Sequence, residues 1–269
     1  MAKPKILYVC EEIYPYIHKT HISEIGRNLP QYVQEHQKEI RVFLPRFGNI
    51  NERRNQLHEV IRLSGMNLII NDIDHPLIIK VASIQLARMQ VYFIDNEDYF
   101  QRKFEFRNKE DVFFDDNDER AIFYARGVIE TVKKLRWAPD IVHVHGWFGS
   151  LVPMYIRKVF RDNPLLNDCK IVISLYNDEF TEKLSKKFLN NLVFEGLKKE
   201  DLGHYNTNNF VGMMKSAIDY SDAIIFGEDE INSEIKEYAL STKKPLLKYK
   251  NKEEYASAYN DFYDKLLKN

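Results

Sequence analysis

Two histidines at alternate positions close an apolar run in Pro139-Asp-Ile-Val-His-Val-His-Gly-Trp-Phe-Gly-Ser-Leu-Val-Pro153. On a strand that spacing puts His143 and His145 on one face, and Trp147 follows in the loop, where a sugar ring could stack on the indole. A metal would need a third ligand close by, and the sequence offers none. Buried, hydrogen-bonded histidines are therefore expected, with no metal and no cofactor. A second candidate follows the run Ile6 to Cys10, where Tyr14-Pro-Tyr-Ile-His-Lys-Thr20 leads to a helix from about Ser23. A loop that opens onto a helix N-terminus at the carboxyl edge of a strand suits an anionic or polar ligand. By spacing alone Lys19 is a solvated loop lysine, and the absence of Gly-x-Gly-x-x-Gly argues against an ordinary dinucleotide site. No pairing of a nucleophile with a base is legible.

The elements that must hold these residues follow from apolar periodicity. Continuous apolar runs recur at Ile6 to Cys10, Ile40 to Leu44, Leu77 to Ile84, Val91 to Ile94, Ile141 to His145, Ile171 to Leu175 and Ala223 to Phe226. Unbroken rather than alternating runs mean strands covered on both faces, hence a largely parallel sheet. Ile22, Ile25, Leu29 and Val33 fall on one helical face, with Pro30 as a kink or a new start. Asp116 and Glu119 spell a capping box ahead of Ile122, Ala125, Ile129 and Val132. Leu68 to Ile73, Pro76 to Ile84 and Gln90 to Ile94 lie too close together for helical crossovers and predict an antiparallel hairpin or meander. Thr181 to Asn209 is polar and predicts a mobile excursion. Tyr255, Tyr259, Phe262, Tyr263 and Leu266 form a helical stripe that should dock.

With 269 residues, 44% of them hydrophobic, the chain can bury a large core. A net charge of −1 supplies no field for nucleic acid or an anionic membrane, so neither is expected as a partner. Cys10 and Cys169 end apolar runs and suit buried, reduced thiols. The first apolar run is too short for a signal peptide core or a spanning helix, and a cytoplasmic location is expected.

Five stretches together resemble the N-terminal domain of bacterial glycogen synthases and plant starch synthases. They are strand one, Lys19-Thr20, Ile40-Arg-Val-Phe-Leu-Pro-Arg46, Val91-Tyr-Phe-Ile-Asp95 and Trp137-Ala-Pro-Asp-Ile-Val-His-Val-His-Gly-Trp147. Lys170-Ile-Val-Ile-Ser-Leu-Tyr-Asn177 and Met214-Lys-Ser-Ala-Ile-Asp-Tyr-Ser-Asp-Ala223 continue the resemblance in the same order. It implies a single Rossmann-like, doubly wound, mostly parallel sheet, one half of a GT-B fold, with an antiparallel hairpin and a docked C-terminal helix. Residues 1–240 would form the synthase-like domain, and residues 241–269 a linker and a helix packing back on it. The family moves glucose from ADP-glucose to an α-1,4-glucan without a metal, and the lysine of its Lys-Thr-Gly-Gly-Leu loop maps onto Lys19. The substrate-facing positions implied are Lys19, Thr20, His143, His145, Trp147 and Asn177.

The departures cluster at the reaction centre. His21, Ile22 and Ser23 stand where the family has Gly-Gly-Leu, which denies a phosphate the close approach that glycine allows. His145-Gly146-Trp147-Phe148 replaces His-Asp-Trp-His, removing a carboxylate at Gly146. Ser174-Leu175-Tyr176-Asn177 replaces Thr-Val-His-Asn, removing a histidine at Tyr176, and Phe226-Gly227-Glu228 replaces a Val-Ser-Pro turn. No second, donor-binding domain is expected beyond about residue 235, and the last segment resembles the family's terminal helix. With Gly146 and Tyr176 degenerate, the expected function is a synthase-like domain that is inactive alone and binds an α-glucan or a protein partner. Association with ADP-glucose or with a second copy of the chain stays open. The alternative is a half-enzyme completed in trans by a separate donor domain.

Overall fold

The computed structural model describes residues 3–194 and 196–268. In chain order the elements are β1 (Lys5–Val9), α1 (His21–Glu35), β2 (Glu39–Pro45), β3 (His58–Glu59), β4 (Met66–Ile70), β5 (Ile73–Ile84), β6 (Met89–Asp95), α2 (Glu97–Phe100) and α3 (Asn117–Leu135). There follow β7 (Ile141–His145), α4 (Val152–Met154), β8 (Lys170–Leu175), α5 (Phe188–Phe194), α6 (Phe210–Tyr220), β9 (Ala223–Phe226), α7 (Ser233–Ser241), β10 (Leu246–Leu247) and α8 (Tyr255–Lys268).

The strands make one sheet in the order β10-β9-β8-β7-β1-β2-β6-β5-β3, with β4 paired to β5. From β6 to β10 every neighbouring pair is parallel, and the order reverses at β1. This is the doubly wound arrangement whose ligands bind beyond the carboxyl ends of the strands at the reversal. β1, β7, β8 and β9 are buried almost throughout, as unbroken apolar strands covered on both faces must be.

Local chemistry explains where the elements begin and end. Thr20 caps α1 by accepting from the Ser23 amide, while the Ser23 hydroxyl accepts from the Thr20 amide, a reciprocal capping box. Pro30 lies inside α1, which runs on without a second start. At α3 the predicted capping box is absent, because the Asp116 carboxylate is taken by the Arg102 guanidinium. Asn71 and Asp72 both have positive φ and form the two-residue turn between β4 and β5, so Ile73 opens the second strand rather than ending the first. β6 pairs antiparallel with β5 and parallel with β2, which joins the meander to the parallel sheet.

The polar stretch 181–209 is anchored rather than loose. Phe188, Leu192, Leu197, Leu202 and Tyr205 are buried, and α5 packs on α3. Cys10 and Cys169 are buried free thiols. Among the described residues no helix is long and apolar enough to cross a membrane.

α8 packs against α1 and buries Tyr255, Tyr259, Phe262, Tyr263 and Leu266. Each such side chain contributes about 1.5 to 3 kcal/mol when fully covered. Lys38 fastens the helix by hydrogen bonding Asn260 Oδ1 at 2.9 Å and pairing with Asp264 at 2.8 Å.

Candidate functional site

The carboxyl ends of β1 and β7 adjoin at the point where the strand order reverses. Around that crevice the chain sets Glu11 just beyond β1, His21 at the start of α1, Gly146 immediately after β7, Tyr176 to Asp178 after β8, and Gly227 after β9.

Gly146 has φ +80°, and a β-carbon there would overlap the carboxyl group of Glu11, carbon and both oxygens. The space left open by the missing side chain at 146 is thus filled by a carboxyl arriving from another strand. Glu11 Oε2 accepts from the Phe148 amide at 3.0 Å, and Asp178 Oδ2 accepts from the Trp147 amide at 3.0 Å. Burial raises Glu11 well above the usual carboxylate range, and the adjacent Asp178 charge raises it further. Burial likewise pushes Asp178 up, to about 7. Asp178 Oδ1 is buried without a hydrogen-bond partner, and a proton on either carboxyl would remove the repulsion between them.

The second exchange involves Tyr176. Its ring lies against Gly227, where an added β-carbon would come within 2.7 Å of Cδ1 and Cζ, and its hydroxyl bonds His145 Nδ1 at 2.7 Å. His21 reaches over from α1, its Nε2 2.9 Å from the Gly227 carbonyl oxygen and its ring edge-on to Tyr176. Below them His143 is bonded to the Tyr263 hydroxyl of α8 at 2.5 Å and to the Ser174 hydroxyl at 2.7 Å. Burial lowers both imidazoles, His145 to about 3 and His143 well below its ordinary value with His145 adding to the shift. Both are therefore neutral near pH 7. His145 Nε2 is buried with no partner.

The other sequence-predicted positions lie at the rim or inside the core. The Lys19 side chain is 63% exposed and pairs with Glu24 at 2.9 Å, and Glu24 also meets Lys252. Thr20 uses its hydroxyl on Glu12 and on the helix cap. Two α1 amides are thereby engaged within the chain, Ser23 on Thr20 Oγ1 and Glu24 on the Thr20 carbonyl, where an anion at that terminus would compete for them. Trp147 is 2% exposed and packs among Phe106, Phe113, Phe148 and Phe180, so its indole serves the core. Asn177 is exposed and donates its amide to Glu228 Oε2 at 2.9 Å. His143, His145 and Tyr176 are brought together, whereas Lys19 and Asn177 face outward.

Glu11 and Asp178 were not singled out from the sequence. The available signal was two consecutive carboxylates, Glu11 and Glu12, at the carboxyl end of a buried strand, opposite a glycine that follows a histidine. Among the described residues no group of three or more His, Cys, Asp or Glu side chains is placed to hold a metal ion. Burial thus disfavours charge on the carboxyls and the imidazoles alike.

Residues 5–246 match the family model described as the starch synthase catalytic domain. A glycogen synthase of Chlorobium luteolum is 32% identical over 227 residues, which cover 82% of this chain and 45% of the relative. One from Chlorobium limicola is 30% identical over 248 residues, covering 88% and 49%. The chain spans about half the length of the curated relatives it matches. Among solved structures, the catalytic domain of starch synthase IV from Arabidopsis thaliana, bound to ADP and acarbose, superposes with a TM-score of 0.73 at 17% identity, over 93% of this chain and 52% of the other. A buried, mostly parallel sheet, the ordered motifs along it and these matches agree that the chain belongs to the starch synthase catalytic domain family.

Proposed function

We propose that this chain is a glycogen or starch synthase-like domain that transfers no glucose by itself and works as a glucan- or protein-binding domain. The observation that carries the proposal is the bridge from His21 to the Gly227 carbonyl across Tyr176. Where the resemblance expects glycines to admit a phosphate, a side chain bonds the opposite loop. Glycosyl transfer needs charge placed against the leaving diphosphate and the oxocarbenium-like centre. Here burial lowers the imidazoles and raises the carboxyls at the crevice, which favours the uncharged form of each. Residues 1–240 form the synthase-like unit in this reading, residues 241–269 tie it off, and the protein is cytoplasmic.

A radiolabelled ADP-glucose assay with glycogen as acceptor tests the proposal, with incorporation at background as the expected result. Turnover that disappears in Lys19→Ala would overturn it. That outcome would promote the second reading, a half-enzyme completed in trans by a separate donor-binding domain, which the outward-facing ammonium of Lys19 favours.

A further inference from the structure

Away from the crevice, four side chains from three elements meet in one series of contacts. His75 of β5 and Tyr99 of α2 are only 4% and 3% exposed. His75 Nδ1 lies 3.1 Å from Asp98 Oδ2, and His75 Nε2 lies 3.0 Å from the Tyr99 hydroxyl. The same hydroxyl lies 3.1 Å from Glu119 Oε2 in the first turn of α3. The Phe123 ring stands edge-on to His75 and packs against Tyr99, covering the cluster from α3.

Three contacts need three hydrogens. A neutral imidazole brings one N–H, a phenol brings one O–H, and two carboxylates bring none. The single Tyr99 hydrogen serves His75 Nε2 or Glu119, and the other contact is left as two facing lone pairs. Burial raises the Tyr99 phenol, and the charges of Glu119, Asp116 and Asp98 raise it further, so the hydroxyl keeps its hydrogen. The nearby cations point elsewhere. Arg120 donates to the Tyr99 and Glu105 carbonyls and to Asn117 Oδ1, Arg102 pairs with Asp116, and Arg126 donates to the Ile69 carbonyl. Asp74, beside His75 in β5, is exposed on the opposite face of the strand, and Asp118 of α3 accepts from Ser185.

We propose that Asp98, His75, Tyr99 and Glu119 form a proton-dependent latch, closed only with one proton more than a neutral imidazole, a phenol and two carboxylates carry. With that proton on the imidazole, His75 donates to Asp98 and to the Tyr99 oxygen, and Tyr99 donates to Glu119. With it on Glu119, the carboxyl donates to the Tyr99 oxygen, Tyr99 to His75 Nε2 and His75 to Asp98. Its departure to solvent empties one contact and loosens α2 from β5 or from α3. Phe100, next to Tyr99, packs on Phe148, whose amide holds Glu11, so the latch steadies one wall of the crevice.

Folding binds this proton, so the stability that the latch supplies is present at low pH and is lost as pH rises. The loss is at most about tenfold in the folding equilibrium constant per pH unit. Glu119→Gln tests the count, because a carboxamide N–H can donate to the Tyr99 oxygen and fill the third contact without an added proton. In urea melts between roughly pH 5 and 8, the interval in which an imidazole titrates, the wild type should lose stability relative to Glu119→Gln as pH rises. In a Tyr99→Phe background no hydroxyl joins the two halves, and the effect of Glu119→Gln should become flat in pH. A difference that is already flat beside the wild type, or that keeps its slope in Tyr99→Phe, overturns the latch. Amide exchange of the unsubstituted protein needs no variant to fold. After correction for the intrinsic rates, residues 96–106 should lose protection as pH rises while β7 keeps its own, and protection of 96–106 that does not change with pH also overturns the proposal.

Discussion

Placing an aspartate at position 146, where the resemblance expects one, should destabilise the protein, because that space is already taken. Gly146 has φ +80°, where a residue with a β-carbon is strained by roughly 1 to 2 kcal/mol. The new β-carbon would overlap the Glu11 carboxyl, forcing it off the Phe148 amide. A buried N–H left unpaired costs about 1 to 3 kcal/mol. Gly146→Asp is thus expected to cost about 2 to 5 kcal/mol, a midpoint shift of several degrees at roughly 2 to 4 °C per kcal/mol for a chain of this size. Glu11→Ala combined with Gly146→Asp removes the overlap and lets the new carboxylate accept from Phe148, leaving mainly the backbone strain. The double variant should therefore be more stable than Gly146→Asp alone, with a coupling of about 1 to 3 kcal/mol. Urea and thermal unfolding of the wild type, both singles and the double give the cycle. Additive losses, or a Gly146→Asp variant as stable as the wild type, would refute the idea that Glu11 fills the place of the side chain at 146.

Burial raises Glu11 and Asp178, so their contribution to folding is fully present below about pH 4 and is lost as pH rises through about 7. Asp178→Asn should gain on the wild type over that interval by at most about 1.4 kcal/mol per pH unit, and a difference that stays flat in pH-dependent urea melts would exclude a shared proton. His143 and His145 act oppositely, losing stability as pH falls below about 6.5, but that contribution is common to both proteins at each pH. Gly227→Ala should destabilise by about 1 to 3 kcal/mol through the Tyr176 ring, and Tyr176→Ala in the same chain should reduce that extra loss, as read by thermal unfolding. Deleting residues 251–269 strips the cover from Tyr8 and His143, and is expected to lower the midpoint by several degrees or to cause aggregation visible by light scattering. A monomer with an unchanged midpoint would show that α8 is not part of the fold.

The sheet was legible because parallel, doubly covered strands are apolar without interruption, and the docked helix because its stripe would otherwise face water. Short strands were not. His58–Glu59 and Leu246–Leu247 carry two residues each and owe their pairing to a neighbour rather than to any pattern of their own. The capping box at Asp116 failed for a related reason, since a local rule was overridden by an arginine fourteen residues back in sequence. At the site, the resemblance singled out positions 21, 146 and 176, but not what packs against them. That information is three-dimensional, since Glu11 and Gly146 are separated by a whole half of the sheet in the chain and become neighbours only because β1 and β7 pair.

Three contacts around the crevice share one physical character: each brings a polar group to a partner within the chain. A buried polar group without a partner is a costly orphan. In this chain the Glu11 carboxyl turns inward onto the Phe148 amide, Tyr176 gives its hydroxyl to His145, and His21 bonds Gly227. Each of the first two needs a glycine opposite it, at 146 and at 227, and each glycine is useful only because the larger partner is there. The exchanges are therefore paired. It follows that single changes at these positions are costly: a side chain at 146 or at 227 creates an overlap, and truncating Glu11 or Tyr176 opens a gap or strands a buried donor or acceptor. A larger residue at either glycine is accommodated only when its partner shrinks in the same chain.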